Sequence, residues 1–326
     1  MNSRFWKNKN IFVTGATGLV GSWLVKDLLK NSCSIVALVF DCDLRSELCR
    51  SQDIQRIKVE KGRLENFSLL KKIISKHRID GVFHLGAQTI VNQAYESPFL
   101  AFESNVRGTY NILEACRLQK KIPYVVVASS DKAYGYQKNL PYREDSSPLE
   151  GRFPYDVSKS CADLLAQSYF HSYGLPISIA RCGNIYGGGD LHFSRIVPGT
   201  ICSLLQNERP VLRSDGKYTR DYIYVRDIAL AYLHLMEKMS DKKTWGQAFN
   251  FSVGKPLSVL EIVLAVQKAM NKTHLKPDIL NNAKGEIHHQ HLTSSKARRI
   301  LGWKPHFNLS QGLRETILWY EQLFSK

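Results

Sequence analysis

NIFVTGATGLVG, residues 10–21, joins a short apolar strand to a glycine-rich loop, and residues 22–30 continue with helical spacing. Gly15, Gly18 and Gly21 allow a tight turn and a close approach of the backbone to a pyrophosphate. The N–H groups and the positive dipole end of the following helix then favour phosphate oxygens. This strand–loop–helix unit predicts a dinucleotide-binding site. The alternative is a tight turn in a sheet protein that binds no ligand.

A second group of polar residues follows the apolar run at 124–128, which is typical of a buried parallel strand. Its members are Ser130, Asp131, Lys132 and, about one helix further on, Tyr155 and Lys159. Side chains at the carboxyl end of such a strand face the ligand crevice of an open α/β sheet. Tyr155 and Lys159 are four residues apart on a predicted helix, so they share one face. Because a nearby cation stabilises phenolate, we expect Lys159 to lower the pKa of Tyr155 from its reference value near 10.

Strand-like and helix-like segments alternate through the first half of the chain, which indicates an α/β fold with a Rossmann-type, doubly wound parallel sheet. The predicted strands lie near 10–14, 34–40, 56–59, 81–85, 123–129 and 176–182. The predicted helices lie near 19–30, 66–77, 99–119 and 154–173. From Gly187 onward, short apolar runs alternate with Gly and Pro, which indicates a smaller α/β substrate-binding domain. The predicted division is 1–180 for the dinucleotide domain, with a returning segment near 220–255 that includes a strand near 247–252, and 181–326 for the substrate domain.

Composition limits the class of protein. The 326 residues are 44% hydrophobic, enough for a sizeable core, and no apolar run reaches the length of a membrane span. Residues 1–10 lack the features of a secretory signal, and seven cysteines without close metal-type spacing favour reduced thiols. We therefore expect a cytoplasmic protein without a membrane contact or a metal site. Metal binding by Cys42 and Cys49 is the less favoured alternative.

The net charge of +16 comes from dispersed basic residues, and no arginine-rich arm or recognised nucleic-acid motif accompanies it. A lysine-rich surface and a doubly negative substrate account for the excess more simply than nucleic-acid binding does.

The motifs together resemble the extended short-chain dehydrogenase/reductase family. The resemblance rests on the GxxGxxG loop, the Tyr-xxx-Lys pair and Ser130. It continues through FHLGAQ at 83–88, SNVRGT at 104–109, RCGNIYG at 181–187 and RDYIYVRD at 220–227. HLGAQ at 84–88, SDK at 130–132 and GGGDL at 187–191 are most similar to the nucleotide-sugar 4,6-dehydratases, especially the CDP-glucose 4,6-dehydratases. The resemblance implies a bound NAD, a nucleotide-sugar substrate and a homodimer.

The resemblance also implies ligand-binding residues. Those for the cofactor are Gly15, Thr17, Gly18, Leu19, Val20, Gly21, Asp41, Leu64, Leu85, Ala87, Gln88, Asn105, Tyr155 and Lys159. Those for the sugar nucleotide are Gln88, Ser130, Asn184, His192, Arg195, Arg220 and His291. Arg220 suits a pyrophosphate because a guanidinium binds with two parallel hydrogen bonds. His192 and Arg195 as plain surface residues remain the alternative. The tract HHQH at 288–291 is interpreted as a loop or strand near the substrate phosphates rather than a metal site, since neighbours on a strand point apart.

The end of the second predicted strand leaves NADP open beside the favoured NAD. An NAD site usually has an acidic residue there for the adenosine ribose, but the corresponding position is Val39. Asp41 reaches the ribose hydroxyls if the loop turns back, whereas Arg45 would instead meet an extra phosphate. The family's Gly-Asp-Leu turn is altered as well, to Gly62-Arg63-Leu64-Glu65.

The reaction that the resemblance implies assigns a role to each catalytic residue. Tyr155 takes the proton of the sugar C4 hydroxyl while C4 is oxidised, Lys159 lowers the pKa of Tyr155 and bonds the nicotinamide ribose, and Ser130 bonds the C4 oxygen. The ketone acidifies C5–H, a base removes that proton, Asp131 protonates the C6 hydroxyl so that water departs, and C6 is then reduced. Lys132 is either the base, if burial depresses its pKa, or a residue that orients Asp131 and polarises the ketone. A surface Asp-Lys pair at a strand end is the third interpretation.

Two other functions stay open. A nucleotide-sugar 4-epimerase needs the same oxidation at C4 but neither Asp131 nor Lys132. A catalytically silent nucleotide-sugar or redox-sensing binding protein would share the same fold.

The homodimer is expected to form through the predicted helices near 99–119 and 154–173. In similar proteins these two helices pair with their mates in a four-helix contact, in which a twofold axis buries the same patch on both chains. The apolar residues expected there are Leu100, Tyr110, Leu113, Leu164, Leu165 and Tyr169.

Overall fold

The computed structural model describes residues 3–282 and 286–325, and within these residues the central feature is a seven-stranded sheet. The strands are β1 (Asn10–Thr14), β2 (Ser34–Val39), β3 (Lys58–Lys61), β4 (Gly81–His84), β5 (Tyr124–Ala128), β6 (Ile177–Cys182), β7 (Asn184–Tyr186), β8 (Val211–Leu212), β9 (Thr219–Arg220), β10 (Tyr222–Tyr224), β11 (Ala248–Phe251), β12 (Leu257–Ser258) and β13 (Asp278–Ile279). The central sheet has the order β11-β6-β5-β4-β1-β2-β3, and all of its pairs are parallel. The Rossmann-type fold is therefore confirmed.

Helices cover both faces of this sheet. They are α1 (Ser3–Trp6), α2 (Leu19–Leu28), α3 (Glu47–Arg50), α4 (Phe67–Lys76), α5 (Val91–Glu96), α6 (Pro98–Phe102), α7 (Gly108–Arg117), α8 (Pro154–Tyr173), α9 (Ile196–Leu205), α10 (Val225–Lys238), α11 (Val259–Ala269) and α12 (Leu309–Phe324). Successive residues of β1 point to opposite faces: Ile11 and Val13 join one core with α2 and α10, and Phe12 joins another with α4 and α7. All three side chains are fully buried, as expected for a strand covered on both faces.

Two predicted elements differ from the structure. The strand expected near 56–59 is β3, which runs from Lys58 to Lys61. The single helix expected near 99–119 is divided into α6 and α7, and a π-helical turn at Glu103–Arg107 joins them. Leu113 of α7 is fully buried in the core, so its expected place on an exposed apolar face is wrong.

The sheet places a ligand crevice beside the carboxyl end of β1. β1 pairs with β2 on one side and with β4 on the other, so the strand order changes direction there. Open α/β sheets bind ligands at such a switch point. The glycine loop after β1 and residues 85–88 after β4 therefore flank the same crevice.

The second half of the chain adds short strands and helices above this edge. Residues from β7, β10, α9, α11 and α12 form a separate apolar cluster that includes Tyr186, Ile201, Tyr224, Ile262 and Tyr320. The strand expected near 247–252 is β11, and it returns to the main sheet by pairing with β6, as predicted. The division of the chain at residue 180 stays a prediction.

The side chains of Cys42 and Cys49 face each other between β2 and α3, but their Cα atoms are 7.7 Å apart, which is farther than a disulfide ordinarily spans. The expected reduced thiols therefore stay a prediction for this pair. The other cysteines, Cys33, Cys116, Cys161, Cys182 and Cys202, are free. Within residues 3–282 and 286–325, no cluster of His, Cys, Asp or Glu suits a metal ion. No helix in that part of the chain has the length and apolar character needed to cross a membrane.

Candidate active site

A cavity of about 1280 Å³ opens at the carboxyl edge of the sheet. It brings together nearly all the predicted site residues, although they are spread over two hundred positions of the chain. Those that line it are Gly15, Thr17, Gly18, Leu19, Val20, Gly21, Asp41, Leu64, Leu85, Ala87, Gln88, Ser130, Asp131, Lys132, Tyr155, Lys159, Asn184, His192, Arg195 and Arg220. Asn105 and His291 are not among its lining residues.

The glycine loop fits a dinucleotide pyrophosphate. Gly15 has φ of +70°, and a Cβ there would lie 2.8 Å from the Gly86 nitrogen. A Cβ at Gly21 would overlap the Gly15 carbonyl, so the third glycine lets the start of α2 pack onto the loop. At Gly18 the nearest atom to such a Cβ is 3.4 Å away, so this glycine leaves room on the cavity side for a phosphate.

Two arginines line the cavity in the same part as Asp41, and both contact other side chains. The Arg45 guanidinium donates to the Asp43 carboxylate, with Nη2 and Oδ2 2.7 Å apart, and it holds the pKa of that carboxyl below its usual range. Arg63 stacks on the exposed ring of Phe40, 3.7 Å from the ring centroid. Asp41 lines the cavity, and its carbonyl accepts a 3.4 Å hydrogen bond from Thr17. An extra phosphate would therefore compete with Asp43 for Arg45.

Asn105 is buried and is not among the residues that line the cavity, so its expected contact with the cofactor stays a prediction. Its Oδ1 accepts from the Gln88 backbone N–H at 2.7 Å, and its Nδ2 donates to the Gln88 carbonyl at 3.0 Å and to Ser158 Oγ at 2.9 Å. The buried amide thus fixes the loop after β4 to α8. The Oε1 atom of Gln88 is itself buried without a hydrogen-bond donor in the described chain, so it is available to a ligand.

Tyr155 and Lys159 lie on one face of α8, as their spacing predicts, and both are buried. The Lys159 ammonium donates to the Ala128 carbonyl at 2.9 Å, and burial lowers its pKa to about 8. The expected low pKa of Tyr155 is wrong. Burial raises it to about 12, against smaller opposing effects of the Arg195 cation and the Ser130 side chain. Loss of solvation around the phenolate therefore outweighs the nearby cations.

Ser130 connects Tyr155 to the next carboxyl group. It precedes a 3₁₀ turn at Asp131–Tyr134, and its hydroxyl donates to Asp131 Oδ1 at 3.2 Å. The same side chain lies near Tyr155 and lowers the pKa of its phenol. The other carboxylate oxygen of Asp131, Oδ2, is buried and has no donor among the described residues. Ser130 therefore lies between the phenol of Tyr155 and the carboxylate of Asp131.

Lys132 extends from the same turn into the cavity. Its Nζ donates to Oε1 of Gln290 at 3.0 Å, a contact across 158 positions of the chain. Burial lowers the pKa of Lys132, the Asp131 and Asp156 carboxylates raise it, and the Arg220 cation lowers it. Lys132 is thus not a surface residue at a strand end.

Asp156 is a cavity residue that the sequence analysis missed. It is only 4% exposed, and it lines the cavity beside Asp131 and Lys132. Burial raises its pKa to about 6, although Lys132 lowers it. The sequence signal was its place in the first turn of the predicted helix, directly after Tyr155 and three residues before Lys159, a spacing that puts Asp156 close to the face of Lys159.

Most of the predicted sugar-nucleotide residues line the same cavity. Arg195 donates to Asp190 at 3.0 Å and to Thr89 at 3.1 Å, which directs its guanidinium toward Tyr155. Arg220 is buried and donates to Glu286 at 3.2 Å. Asn184 and His192 also line the cavity.

His291 is displaced from this group, so its expected contact with the substrate lacks support in the cavity. Its carbonyl accepts from the Tyr142 N–H at 2.9 Å. The neighbouring residues Glu286 and Ile287 line the cavity instead, and His288 stacks on Tyr218 with ring centroids 4.4 Å apart. The residues just before the HHQH tract therefore reach the cavity, whereas the four residues of the tract itself are not among its lining residues.

Comparison with known proteins gives consistent results. The profile of the GDP-mannose 4,6 dehydratase family matches residues 12–316. The chain is 27% identical to the CDP-glucose 4,6-dehydratase of Salmonella typhimurium, over 98% of this chain and 93% of that protein. It is 28% identical to the UDP-glucuronate 4-epimerase of Thermodesulfobacterium geofontis, over 95% of each.

Solved structures include both activities. A dTDP-glucose 4,6-dehydratase from Streptomyces venezuelae, with NAD and TYD bound, superposes with a TM-score of 0.87 at 25% identity, over 96% of this chain and 97% of that one. A UDP-glucose 4-epimerase from Thermotoga maritima, with UDP-glucose, gives the same TM-score and identity, over 96% and 99%. The resemblance to the extended short-chain dehydrogenase/reductase family is confirmed, and the chain belongs to the GDP-mannose 4,6 dehydratase family of nucleotide-sugar dehydratases and epimerases.

Proposed function

We propose that the chain is an NAD-dependent nucleotide-sugar 4,6-dehydratase that converts an NDP-hexose, with CDP-glucose favoured, into the NDP-4-keto-6-deoxyhexose. The observation that carries this proposal is the presence of Asp131 and Lys132 in the same cavity as Ser130, Tyr155 and Lys159. Oxidation at C4 alone needs only the last three. Removal of water also needs an acid and a base at adjacent carbons, and titratable side chains beside the redox residues supply them.

NAD is the cofactor that the residues favour. The glycine loop would hold its pyrophosphate, Asp41 its adenosine ribose, and Lys159 its nicotinamide ribose. Arg45 is paired with Asp43, so it does not present an isolated site for the extra phosphate of NADP. When bound, the nicotinamide supplies the redox chemistry at C4 and C6.

The protein's own groups move the protons of the first step. Tyr155 takes the proton of the C4 hydroxyl as the C4–O bond becomes a carbonyl, and Arg195 and Ser130 favour the phenolate that must form. Ser130 would pass its proton to Asp131 along the hydrogen bond that joins them and would receive one from the nearby phenol of Tyr155. Asp131 thereby gains the proton that it later donates to the C6 hydroxyl, and the hydroxyl leaves as water.

The remaining part of the cavity would bind the sugar nucleotide, mainly through residues of the segment 181–326. Arg220 and Asn184 would bind the diphosphate, and His192 and Arg195 would cover the sugar. Arg220 would release Glu286 and bind the incoming phosphate in its place.

A homodimer is part of the proposal. The support is an exposed apolar surface on α6, α7 and α8 that includes Leu100, Tyr110 and Leu164.

One assay tests the proposed function. The protein is incubated with NAD and, separately, with CDP-, dTDP-, UDP- and GDP-sugars, and the products are analysed by mass. Loss of one water from a sugar nucleotide is the expected result.

The second candidate function is a nucleotide-sugar 4-epimerase, which the similarity to a UDP-glucuronate 4-epimerase favours. It would convert its substrate into an isomer of unchanged mass and would leave Asp131 and Lys132 without a chemical role. A protein that turned over none of these sugars would instead be a silent binding protein.

A further inference from the structure

Asp156 is a buried carboxylate without a hydrogen-bond donor. It lies in the first turn of α8, where its backbone carbonyl accepts from Ser160 Oγ at 3.0 Å. No residue of the described chain donates to the Asp156 carboxylate, and its surroundings act on its pKa only through burial and charge. Its oxygens are not among the side-chain atoms that are enclosed without a partner, and the residue lines the cavity, so the carboxylate is open to a ligand there.

Charged and titratable groups from several elements surround Asp156. The charged ones are Lys132 and Asp131 of the 3₁₀ turn and Arg220 of β9. The neutral phenols are Tyr155 of α8 and Tyr142 of the loop before α8. Burial raises the pKa of Asp156 to about 6, whereas Lys132 and Arg220 lower it. The group is therefore an anion at neutral pH, yet it is more basic than an ordinary carboxylate, as suits a general base.

Lys132 is less well placed for the same task. Its Nζ already donates to Gln290, and it interacts with the carboxylates of Asp131, Asp156 and Glu286. An ammonium at that point balances these negative charges. A neutral amine would leave them uncompensated in a buried site.

Building on the proposed dehydratase function, we propose that Asp156 is the base that removes the C5 proton, and that Lys132 acts as the cation that holds Asp156 and Asp131 in place. The Asp156 carboxylate takes the hydrogen of C5 as a proton, and the electron pair of the C5–H bond forms the C5–C6 double bond. The C6–O bond breaks, and the carboxylic proton of Asp131 joins the departing hydroxyl to form water. Asp156 returns its proton to C5 when C6 is reduced.

The test compares Asp156→Asn with Lys132→Met in deuterium oxide. The probe is CDP-glucose, or whichever of the four sugar nucleotides the native protein dehydrates. Three quantities are measured with NAD present: formation of reduced nicotinamide, incorporation of deuterium at C5, and loss of water by mass. For Asp156→Asn we expect C5 exchange and water loss to fall by about 10²-fold or more, while reduced nicotinamide still forms.

Lys132→Met should differ from Asp156→Asn in its C5 exchange. It should keep C5 exchange, but removal of the cation raises the pKa of Asp156, so the acid limb of the exchange rate should move above its native position near pH 6. Asp156→Glu should regain part of the exchange because it restores a carboxylate.

Three outcomes would overturn the inference. C5 exchange at the native rate in Asp156→Asn would return the role of base to Lys132. Loss of C5 exchange in Lys132→Met at every pH would do the same. A raised KM with native kcat in Asp156→Asn would make the carboxylate a sugar-binding group. If Asp156→Asn fails to fold, the pH profile of exchange in Lys132→Met decides alone. A native protein that dehydrates none of the four sugars overturns the proposed dehydratase function together with the role of Asp156. A native protein that dehydrates one of them, with one of the results described above in a variant, overturns only the role of Asp156.

Discussion

At the scale of single residues, the chemistry depends on groups whose ionisation is disfavoured by burial. The pKa of Tyr155 is raised to about 12, so at neutral pH its phenolate is a minor species. The proton of the C4 hydroxyl must nevertheless pass to it. Arg195 and Ser130 are the neighbours that lower this pKa, and both lie where the sugar would be bound. Formation of the Tyr155 phenolate therefore depends on Arg195 and Ser130 rather than on Lys159 alone.

Tyr155→Phe should reduce turnover by about 10²-fold or more while leaving nucleotide binding unchanged, because it removes the base for the C4 hydroxyl and little else. In the native protein the rate of C4 oxidation should rise with pH above neutrality, since deprotonation of a group with a raised pKa increases throughout that range. Formation of reduced nicotinamide as a function of pH measures both effects. Turnover near the native rate in a folded Tyr155→Phe protein would exclude the assigned role.

Asp131→Asn should slow water loss by about 10²–10⁴-fold, because an amide keeps the shape but cannot donate a carboxylic proton to the C6 oxygen. Oxidation at C4 should survive, so reduced nicotinamide should accumulate after substrate is added. Mass analysis follows the loss of water, and absorbance follows the accumulation of reduced nicotinamide. Water loss at the native rate in this variant would favour the epimerase instead.

At the scale of elements, the unit made by β1, the glycine loop and α2 sets the geometry of cofactor binding. Its three glycines serve different purposes: Gly15 adopts a positive φ, Gly18 borders the cavity, and Gly21 lies against the Gly15 carbonyl. Only the last two keep ordinary backbone angles, so alanine at these positions separates packing from ligand contact.

Gly21→Ala should destabilise the protein by about 1–3 kcal/mol, because its Cβ would overlap the Gly15 carbonyl and force the loop to move. Gly18→Ala is the matched control. Its Cβ meets nothing closer than 3.4 Å, so the fold should be retained while the affinity for NAD falls. Denaturant unfolding and titration with NAD distinguish the two. Equal unfolding midpoints for both variants would contradict this division of roles.

At the scale of the whole molecule, an apolar surface crosses α6, α7 and α8. Leu100 is 59% exposed and Leu164 is 52% exposed, whereas Leu113 faces the core. Tyr95, Phe99 and Phe102 extend the same region. A contiguous patch of large apolar side chains is more typical of a protein–protein interface than of a monomer surface.

Sedimentation at micromolar concentration should therefore show a dimer, and Leu164→Glu should shift it toward monomer, because an isologous contact would bring the introduced charge in from both chains. Leu264→Glu, at an exposed leucine on α11, is the matched control and should leave the dimer intact. A native protein that sediments only as monomer would contradict the prediction.

Part of this molecule follows from the sequence because its signals are local. The strand–loop–helix of residues 10–21 depends on neighbouring glycines and apolar spacing, and the shared face of Tyr155 and Lys159 depends on one helical turn. The alternation of strands and helices was sufficient to predict the parallel sheet, including the strand returning as β11. Most of the predicted site residues do line the cavity, since the ends of parallel strands converge on one edge.

The remainder depends on contacts between distant parts of the chain. Gln290 meets Lys132 only after the second half of the chain folds over the sheet, and Asn105 reaches Gln88 and Ser158 behind the cavity. Asp156 became a candidate base only once its burial and its lack of donors were visible. Burial and desolvation are properties of the packed molecule, so the raised pKa of Tyr155 could not be obtained from the spacing of its cation. The sequence thus determined the fold and the identity of most reacting groups, whereas the tertiary structure decided their protonation and their partners, because long-range packing sets the solvation of each group.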